Sequence, residues 1–417
     1  MNRIYLTALL ALLTVPASAA EADFDGRGPV LSAADAAAVS VVPAAPPAAR
    51  AGEPAVREWT VMVFVNAKNN LERFGLRDVN EMELAGSTDK VAVVAELGRT
   101  AQYTAAEGGW KGARRYLITK DTDTAAINSP VLRDVDYLDM GDYRSVIDFA
   151  KWAKAAYPAK KYMLVIWNHG SGWERSGAAG GRWISTDEQT GHRISTPQLA
   201  AILKEIGGVD IYASDACLMQ MAEVVYELKD HASYIVGSEE TEPADGQPYD
   251  RLLGALGARP EMTPEELSRA TVDIYADYYE QWKQPTTDSY IRTAALPGLL
   301  KAANAFTAAL TRSRDKAAAK AAAAEAQNFN APDNKDLYDL TELVVNKSKN
   351  AGVKTAGKAL QEYLSGTLIG HSRVTHGCPK AHGLAVYVPP YEASGQYQEL
   401  QWAKDSGWDE FIKWQAQ

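Results

Sequence analysis

Two short segments of the sequence combine residue types that can perform nucleophilic catalysis. His169 and Gly170 directly follow one apolar run. Cys217 follows another such run, two positions after Asp215. A thiolate is a strong nucleophile, and an imidazole beside it can take its proton and later protonate a departing amine. The two segments therefore predict a Cys–His pair, provided that the fold brings them together.

The backbone around this pair offers two N–H groups for a developing oxyanion. Gly170 has no side chain, so its N–H can approach a ligand closely. The pattern of residues 218–228 predicts a helix, which places Cys217 and its N–H at a helix start, where the dipole favours a thiolate. A lone Cys is usually a small core residue, so the placement of both residues after strands is what favours catalysis.

Strands and helices alternate along the chain and must position these residues. Apolar runs predict strands at 60–66, 91–95, 116–118, 162–167, 209–213, 234–236 and 384–388. Helical periodicity predicts helices at 71–84, 141–157, 196–206, 218–228, 264–282 and 301–327. This alternation indicates an α/β fold with a mostly parallel central sheet, in which ligands bind at the carboxyl ends of the strands.

The N-terminal part of the chain differs in composition from the rest. Residues 1–19 combine Arg3, a short apolar run and a small-residue cleavage site, which is typical of a secretory signal peptide. Residues 20–57 are rich in Ala and Pro and are expected to form a leader or pro-segment. A catalytic core is predicted at 58–250, and a helical region with a returning strand at 251–417. The protein is expected to be secreted or periplasmic, without a membrane anchor after signal cleavage.

The overall composition excludes several classes of function. The 417 residues carry 43 basic and 53 acidic side chains, a net charge of −10, which disfavours nucleic acid as a partner and suits cationic substrates. Only two cysteines are present, so no disulfide framework is expected. There is no phosphate-binding or dinucleotide-binding glycine pattern.

Five segments of the chain resemble the clostripain family of cysteine peptidases. They are residues 59–64, 69–72, 166–173, 215–219 and 383–389. The His-Gly and Asp-Ala-Cys segments in this order are a specific signal. The resemblance implies a caspase-like α/β/α sandwich, as in caspases, gingipains, legumain and separase, with His169 as the catalytic histidine and Cys217 as the nucleophile.

The resemblance also implies which peptide bonds are cut. Family enzymes cleave after Arg and sometimes Lys, and Asp215 matches the acid of their substrate pocket, since a carboxylate pairs with guanidinium bidentately. The alternative is that Asp215 caps a helix beginning near Ala216. Further candidate pocket acids are Glu239, Glu240, Glu242 and Asp245.

Two features bear on regulation and cofactors. Many family members are zymogens cut between the catalytic His and Cys, which makes Arg182 a candidate for self-cleavage, the alternative being an exposed Arg in a loop. Lys68 stands where relatives usually carry Asp, which leaves the choice between Arg and Lys open. No cofactor is expected to be required. Calcium is implied only by the family, because no stretch has calcium-loop spacing.

Three other functions compete with proteolysis. A zinc-dependent hydrolase would use the cluster of His371, His376, Cys378 and His382, although its spacing matches no common zinc pattern. A serine hydrolase is disfavoured because the sequence lacks a G-x-S-x-G elbow. A catalytically inactive caspase-like binding or adhesion module is the third alternative, and the retention of both His169 and Cys217 speaks against it.

Overall fold

The computed structural model describes residues 56–173 and 183–417. The predicted signal peptide and nearly all of the predicted leader lie outside these ranges. The strands are β1 Arg57–Ala67, β2 Val91–Arg99, β3 Gly112–Leu117, β4 Val131–Val135, β5 Ala159–Trp167, β6 Val209–Asp215, β7 Ala232–Gly237, β8 Thr287–Arg292, β9 Asn334–Asp336, β10 Ile369–Val374 and β11 Ala385–Tyr387.

Nine of these strands form one sheet in the order β10-β8-β7-β6-β5-β1-β2-β3-β4. The five central strands, β7 to β2 in that order, are parallel, and the two strands at each edge run antiparallel. β9 and β11 pair separately. The strand order reverses between β1 and β5, and the carboxyl ends of such a pair flank a crevice that commonly binds ligands.

Helices cover both faces of the sheet. They are α1 Glu72–Ala85, α2 Tyr143–Ala156, α3 Thr196–Glu205, α4 Ala222–Leu228, α5 Tyr249–Ala258, α6 Pro264–Glu280, α7 Leu296–Ser313, α8 Lys316–Glu325, α9 Leu337–Lys347, α10 Ala351–Tyr363, α11 Gln401–Asp405 and α12 Trp408–Ala416. The mostly parallel sheet between two helical layers confirms the predicted fold class. Among the described helices none is long and apolar enough to span a bilayer.

The central strands are apolar throughout because both of their faces are covered. Along β1, Val61, Val63 and Val65 pack into one buried cluster, which includes side chains of α1 and α5. Met62 and Phe64 pack into the other, which includes side chains of α2 and α3. Alternate side chains of one strand therefore support both layers.

The structure corrects the expectations for the later part of the chain. The predicted helix at 301–327 is two helices, α7 and α8, interrupted at Arg314, which has a φ of +56°. The strand predicted at 384–388 pairs with β9 outside the main sheet. β8 and β10 were not predicted, yet they extend the main sheet beyond β7. One sheet therefore draws strands from both sides of the sequence-based boundary at residue 250.

Candidate active site

The register between β5 and β6 places the two predicted catalytic residues beyond the carboxyl ends of neighbouring strands. Trp167 and Asp215 are direct partners in this parallel pair. His169 and Cys217 each follow two positions later, at the same edge of the sheet. The Asn168 N–H donates to the Asp215 carbonyl over 3.2 Å, so the pairing continues into the loops that carry them.

Two glycines allow these loops to touch backbone to backbone. A Cβ on Gly170 would lie 2.4 Å from the carbonyl oxygen of Cys217, and one on Gly172 would lie 2.5 Å from that of Leu218. Gly172 also has a φ of +59°, which favours glycine. The His-Gly segment thus has its glycines where any side chain would push the two loops apart.

The ring of His169 is partly buried and held by a neighbouring amide. Its Nε2 lies 2.7 Å from Oδ1 of Asn70, and its backbone N–H donates to Asn168 over 2.6 Å. Burial lowers the pKa of His169, and the negative charge of Glu188 opposes this shift. The ring is therefore mostly neutral near pH 7 before a substrate or thiolate faces it.

Cys217 lies in a turn, and the expectation that it begins a helix is wrong. The helix that follows, α4, begins only at Ala222 and has Met221 at its N-cap. The intervening chain is held by the loop after β7, since the Leu218 N–H donates to the Glu240 carbonyl and the Gln220 N–H to that of Ser238. The helix dipole therefore does not act on this thiol.

The surroundings of the thiol favour its protonated form in the empty site. The Glu242 N–H donates to Cys217 Sγ over 3.3 Å, which favours the thiolate. Burial raises the pKa of Cys217 more strongly, and the negative charges of Glu240 and Asp215 add to this. Activation of the thiol thus depends on a proton acceptor such as His169 and on neutralisation of the nearby acids.

Asp215 is 4% exposed and does not cap a helix, because α4 starts seven residues later. Its Oδ2 accepts hydrogen bonds from the Tyr249 hydroxyl at 2.7 Å and from the Gln247 N–H at 3.3 Å. Burial raises the pKa of Asp215, while these hydrogen bonds and one to Glu242 oppose the shift. The carboxyl is buried beside Cys217, and the buried polar residues around it form the candidate substrate pocket.

Only one of the four further acids joins Asp215. Glu242 interacts with Asp215 and Cys217, and burial, followed by their charges, raises its pKa well above the usual value. Glu239 accepts the Gly383 N–H, Glu240 accepts the Asn330 N–H, and Asp245 pairs with the Arg77 guanidinium at 2.7 Å. These three carboxylates are thus occupied elsewhere.

A third pocket acid, Asp288, was missed by the sequence analysis. It is 3% exposed, and burial raises its pKa well above the usual value, with an added contribution from Asp215. Asp288 is the second residue of β8, which runs antiparallel to β7. Its amino end therefore reaches the edge where the parallel strands end, a position that a search behind parallel strands overlooks.

Several polar atoms of this pocket have no partner. They are Glu242 Oε2, Asp288 Oδ2, Gln247 Oε1 and Tyr275 OH, all buried. Among the described residues, no Lys or Arg forms an ion pair with Asp215, Glu242 or Asp288. Buried carboxylates without a counter-charge are unfavourable in their ionised form.

Lys68 lies outside this pocket. Its ammonium is fully buried and donates to the Leu138 carbonyl and, over 3.0 Å, to Gln189. Asp187 lies 3.5 Å away. Burial lowers the pKa of Lys68, and Asp187 opposes the shift. The departure from the family pattern therefore alters the support of the site rather than the set of pocket acids.

The predicted zinc ligands face different partners. His371 contacts Asp273 at 2.8 Å, and His382 contacts Asp336 at 3.2 Å. His376 lies 3.5 Å from Glu280, while Cys378 Sγ lies 3.8 Å from Glu240. Within the described residues, no three His, Cys, Asp or Glu side chains are grouped as metal ligands. The structure therefore does not bring the four residues of the zinc alternative into one site.

The self-cleavage candidate Arg182 lies outside the described residues, but both flanks of its segment are described. The Ser171 N–H donates to the Trp183 carbonyl over 3.0 Å, and the Trp183 N–H donates to Ser171 Oγ over 3.1 Å. Trp183, the residue that follows Arg182, is thus bonded to Ser171, two positions beyond His169.

Comparisons with known proteins identify relatives of this chain. A sequence model of the clostripain family matches residues 63–414. Clostripain from Hathewaya histolytica is 26% identical over 221 residues, which cover 48% of this chain and 42% of that protein. The chain thus aligns with less than half the length of this curated relative.

Solved structures share the fold. A secreted C11 cysteine protease from Bacteroides thetaiotaomicron, in complex with an irreversible peptide inhibitor, has a TM-score of 0.66 at 20% identity and covers 85% of this chain and 100% of its own. An inactive zymogen C11 protease from Parabacteroides distasonis has a TM-score of 0.62 at 18% identity and covers 84% and 99%. With the family match spanning most of the sequence, this chain belongs to the clostripain family of cysteine peptidases.

Proposed function

We propose that this protein is a secreted cysteine endopeptidase that cleaves peptide bonds after Arg, and less efficiently after Lys. The observation that carries the proposal is a group of three buried carboxyls without a cationic partner. Asp215 and Glu242 interact with Cys217, and Asp288 interacts with both of these acids. A cationic side chain supplies the missing counter-charge, and it places the following peptide bond near the thiol.

The unpaired atoms of the pocket favour guanidinium over ammonium. Glu242 Oε2, Asp288 Oδ2 and Gln247 Oε1 are acceptors, and the Tyr275 hydroxyl can also accept. Guanidinium offers five N–H donors in a planar fork, whereas ammonium offers three on one atom. Arg therefore satisfies more of these buried atoms than Lys, which supports a preference for Arg.

The proposed reaction uses groups of this chain alone. His169 takes the proton of Cys217, and the thiolate forms a bond to the carbonyl carbon of the residue held in the pocket. The Gly170 and Cys217 N–H groups stabilise the resulting oxyanion. Gly170 and Ile184 form an isolated antiparallel β-bridge. Its hydrogen bonds join the His169 carbonyl to the Ser185 N–H and the Ser171 N–H to the Trp183 carbonyl, so the Gly170 N–H takes no part in them. The C–N bond then breaks as His169 protonates the amine, and water hydrolyses the thioester.

A panel of peptides that differ only in the residue before the scissile bond tests the proposal. We expect kcat/KM to decrease in the order Arg, Lys, citrulline. Citrulline has nearly the shape of Arg but no charge, and loss of a buried charge pair costs about 2–5 kcal/mol, or roughly 30-fold to several thousand-fold at 1.4 kcal/mol per tenfold. Equal rates for Arg and citrulline would contradict the charge-based pocket, and hydrolysis that survives iodoacetamide would contradict the thiol mechanism.

Self-activation by cleavage after Arg182 is part of the same proposal. The described flanks of this segment are hydrogen-bonded to each other beside His169, which supports access of the segment to the site. Wild-type protein is expected to separate on a denaturing gel into two fragments that meet at residue 182, whereas Arg182→Gln and Cys217→Ala remain whole. Fragmentation of purified Cys217→Ala at this position would show that another protease makes the cut.

Secretion and cofactors complete the proposal. The signal-peptide pattern of residues 1–19 and the Ala/Pro-rich leader at 20–57 support export to the periplasm or the exterior. The reaction above requires no cofactor, and calcium dependence is a precedent of the family that this sequence does not predict. The expected partners are proteins or peptides with Arg or Lys before the scissile bond.

A further inference from the structure

The ring of His169 has a specific partner that the reaction above does not use. Asn70 Oδ1 lies 2.7 Å from His169 Nε2. A carbonyl oxygen can only accept a hydrogen bond, so this contact requires a proton on Nε2. The other ring nitrogen, Nδ1, is then the basic atom of the neutral ring.

The topology of the sheet explains why these two residues meet. Asn70 follows the end of β1 by three positions, and His169 follows the end of β5 by two. β1 and β5 are neighbouring parallel strands, and the order of the sheet reverses between them. Asn70 and His169 thus face each other across the crevice where such folds bind their ligands.

The backbone on both sides of Asn70 is fixed. The Asn69 side chain accepts the Leu71 N–H at 2.9 Å and donates to the Thr186 carbonyl at 3.1 Å. Two positions before Asn70, the buried Lys68 ammonium donates to Gln189 and to the Leu138 carbonyl. The Asn70 side chain is itself exposed, so its position comes from these flanking anchors rather than from its own packing.

The other charged group that acts on His169 has a different role. Glu188 influences the ring through its charge, but its carboxylate accepts a hydrogen bond from the Tyr103 hydroxyl. Its backbone N–H donates to the Lys68 carbonyl at 2.9 Å. Glu188 therefore contributes a field, whereas Asn70 contributes a directed hydrogen bond.

We propose that Asn70 is a positioning residue, which holds His169 as the Nε2–H tautomer and leaves Nδ1 to exchange protons with Cys217 and with the leaving amine. A histidine that acts as base and then as acid needs one fixed orientation, because the proton must be taken and returned by the same nitrogen. A neutral amide fixes this orientation without adding charge, so the imidazolium is not over-stabilised when it must give up its proton.

Kinetics of Asn70→Ala and Asn70→Asp test the proposal, with Asn346→Ala, an exposed Asn of α9, as the matched control. We expect Asn70→Ala to lower kcat by about 10- to 100-fold, the usual range for a group that orients a reacting one, with KM changed less than about twofold. Asn70→Asp keeps an acceptor and is expected to restore most of kcat. Its added charge raises the pKa of His169. Because the base must be neutral to take the proton, the loss of activity at low pH moves to higher pH.

A spectroscopic measurement reads the tautomer directly. In the Cys217→Ala background, nitrogen-15 spectra of the ring, assigned with His169→Ala, are expected to show Nε2–H. The added Asn70→Ala substitution should produce a mixture of tautomers. An Nδ1–H ring in the parent, or an Asn70→Ala enzyme with unchanged kcat, would overturn the proposal.

This inference rests on the proposed thiol mechanism but not on the choice of Arg. The kinetics use whichever peptide the wild-type enzyme cleaves, and the spectra need no substrate. If no peptide is cleaved, the proposed function fails while the tautomer measurement still decides the role of Asn70.

Discussion

Replacing Cys217 with alanine is expected to reduce peptide hydrolysis by at least about 10⁴-fold, to the level of the background. The sulfur forms the bond to the substrate, and no other group at this position can replace it. His169→Ala is expected to have a similar effect. The double variant should lose little more than either single variant, since residues that act as one unit give non-additive losses. Initial rates on an Arg peptide measure each effect.

The second cysteine of the chain is the matched control. Cys378 is 5% exposed, and burial raises the pKa of its thiol to about 11, so it is protonated and unreactive at neutral pH. Cys378→Ala is expected to retain activity and to be inactivated by iodoacetamide as the wild type is. An inactive Cys378→Ala variant together with an active Cys217→Ala variant would contradict the assignment of Cys217 as the nucleophile. Circular dichroism and melting curves verify that each variant folds.

The meeting of these two catalytic candidates was predictable because it depends only on strand register. Parallel neighbours end at the same edge of a sheet, so residues two positions beyond Trp167 and Asp215 are placed at one edge. The glycines of the His-Gly segment were also visible, although their reason, contact with the Cys217 and Leu218 carbonyls, was not.

The local conformation around Cys217 was not predictable from periodicity. Leu218, Met219 and Met221 are apolar and continue into the helical pattern. The Leu218 and Gln220 N–H groups nevertheless bond to the chain after β7, and the helix begins only at Ala222. Tertiary hydrogen bonds thus override the local pattern. Asn70 lies in segment 69–72, which carries the family resemblance, but its role became visible only when the fold placed His169 beside it.

Asp215→Asn is expected to lower kcat/KM for an Arg peptide by about 10²- to 10³-fold, while a citrulline peptide is affected much less. The substitution removes a carboxylate that a buried guanidinium would face. The guanidinium of the substrate is then buried without its full counter-charge, which costs about 2–5 kcal/mol of binding free energy. The Asn side chain can still accept the hydrogen bond that Tyr249 gives to Asp215, so the pocket keeps its shape. Asp245→Asn, an acid paired with Arg77 on the surface, is the matched control and should be nearly neutral.

The same pocket predicts how binding depends on pH. Burial raises the pKa values of Asp215, Glu242 and Asp288, so part of this group is protonated in the empty enzyme at weakly acidic pH. Guanidinium binds the ionised form, so KM for Arg peptides is expected to fall as pH rises through this range. Citrulline peptides should lack this trend. A KM for Arg peptides that is independent of pH would contradict the assignment of these acids to the substrate pocket.

The stability of the empty enzyme should change in the opposite direction to its activity. In the unfolded chain these carboxyls ionise near pH 4, whereas in the folded protein their pKa values are higher, so the unfolded state loses its protons first. Stability is therefore present at low pH and declines as pH rises from the unfolded toward the folded pKa values. Glu242→Gln removes one of these unpaired charges and should raise the melting temperature at pH 8 more than at pH 5.

A small guanidinium ligand tests both the binding of substrate and the stability of the empty enzyme. Agmatine carries the Arg side-chain group, and by filling the pocket of the wild type it should raise the melting temperature at pH 8 and compete with Arg peptides. In Glu242→Gln and Asp215→Asn, which have less negative charge to neutralise, the same ligand should stabilise less. If agmatine stabilises all three proteins equally, the carboxyls are not its binding site, and the destabilising charge that they carry must serve another ligand.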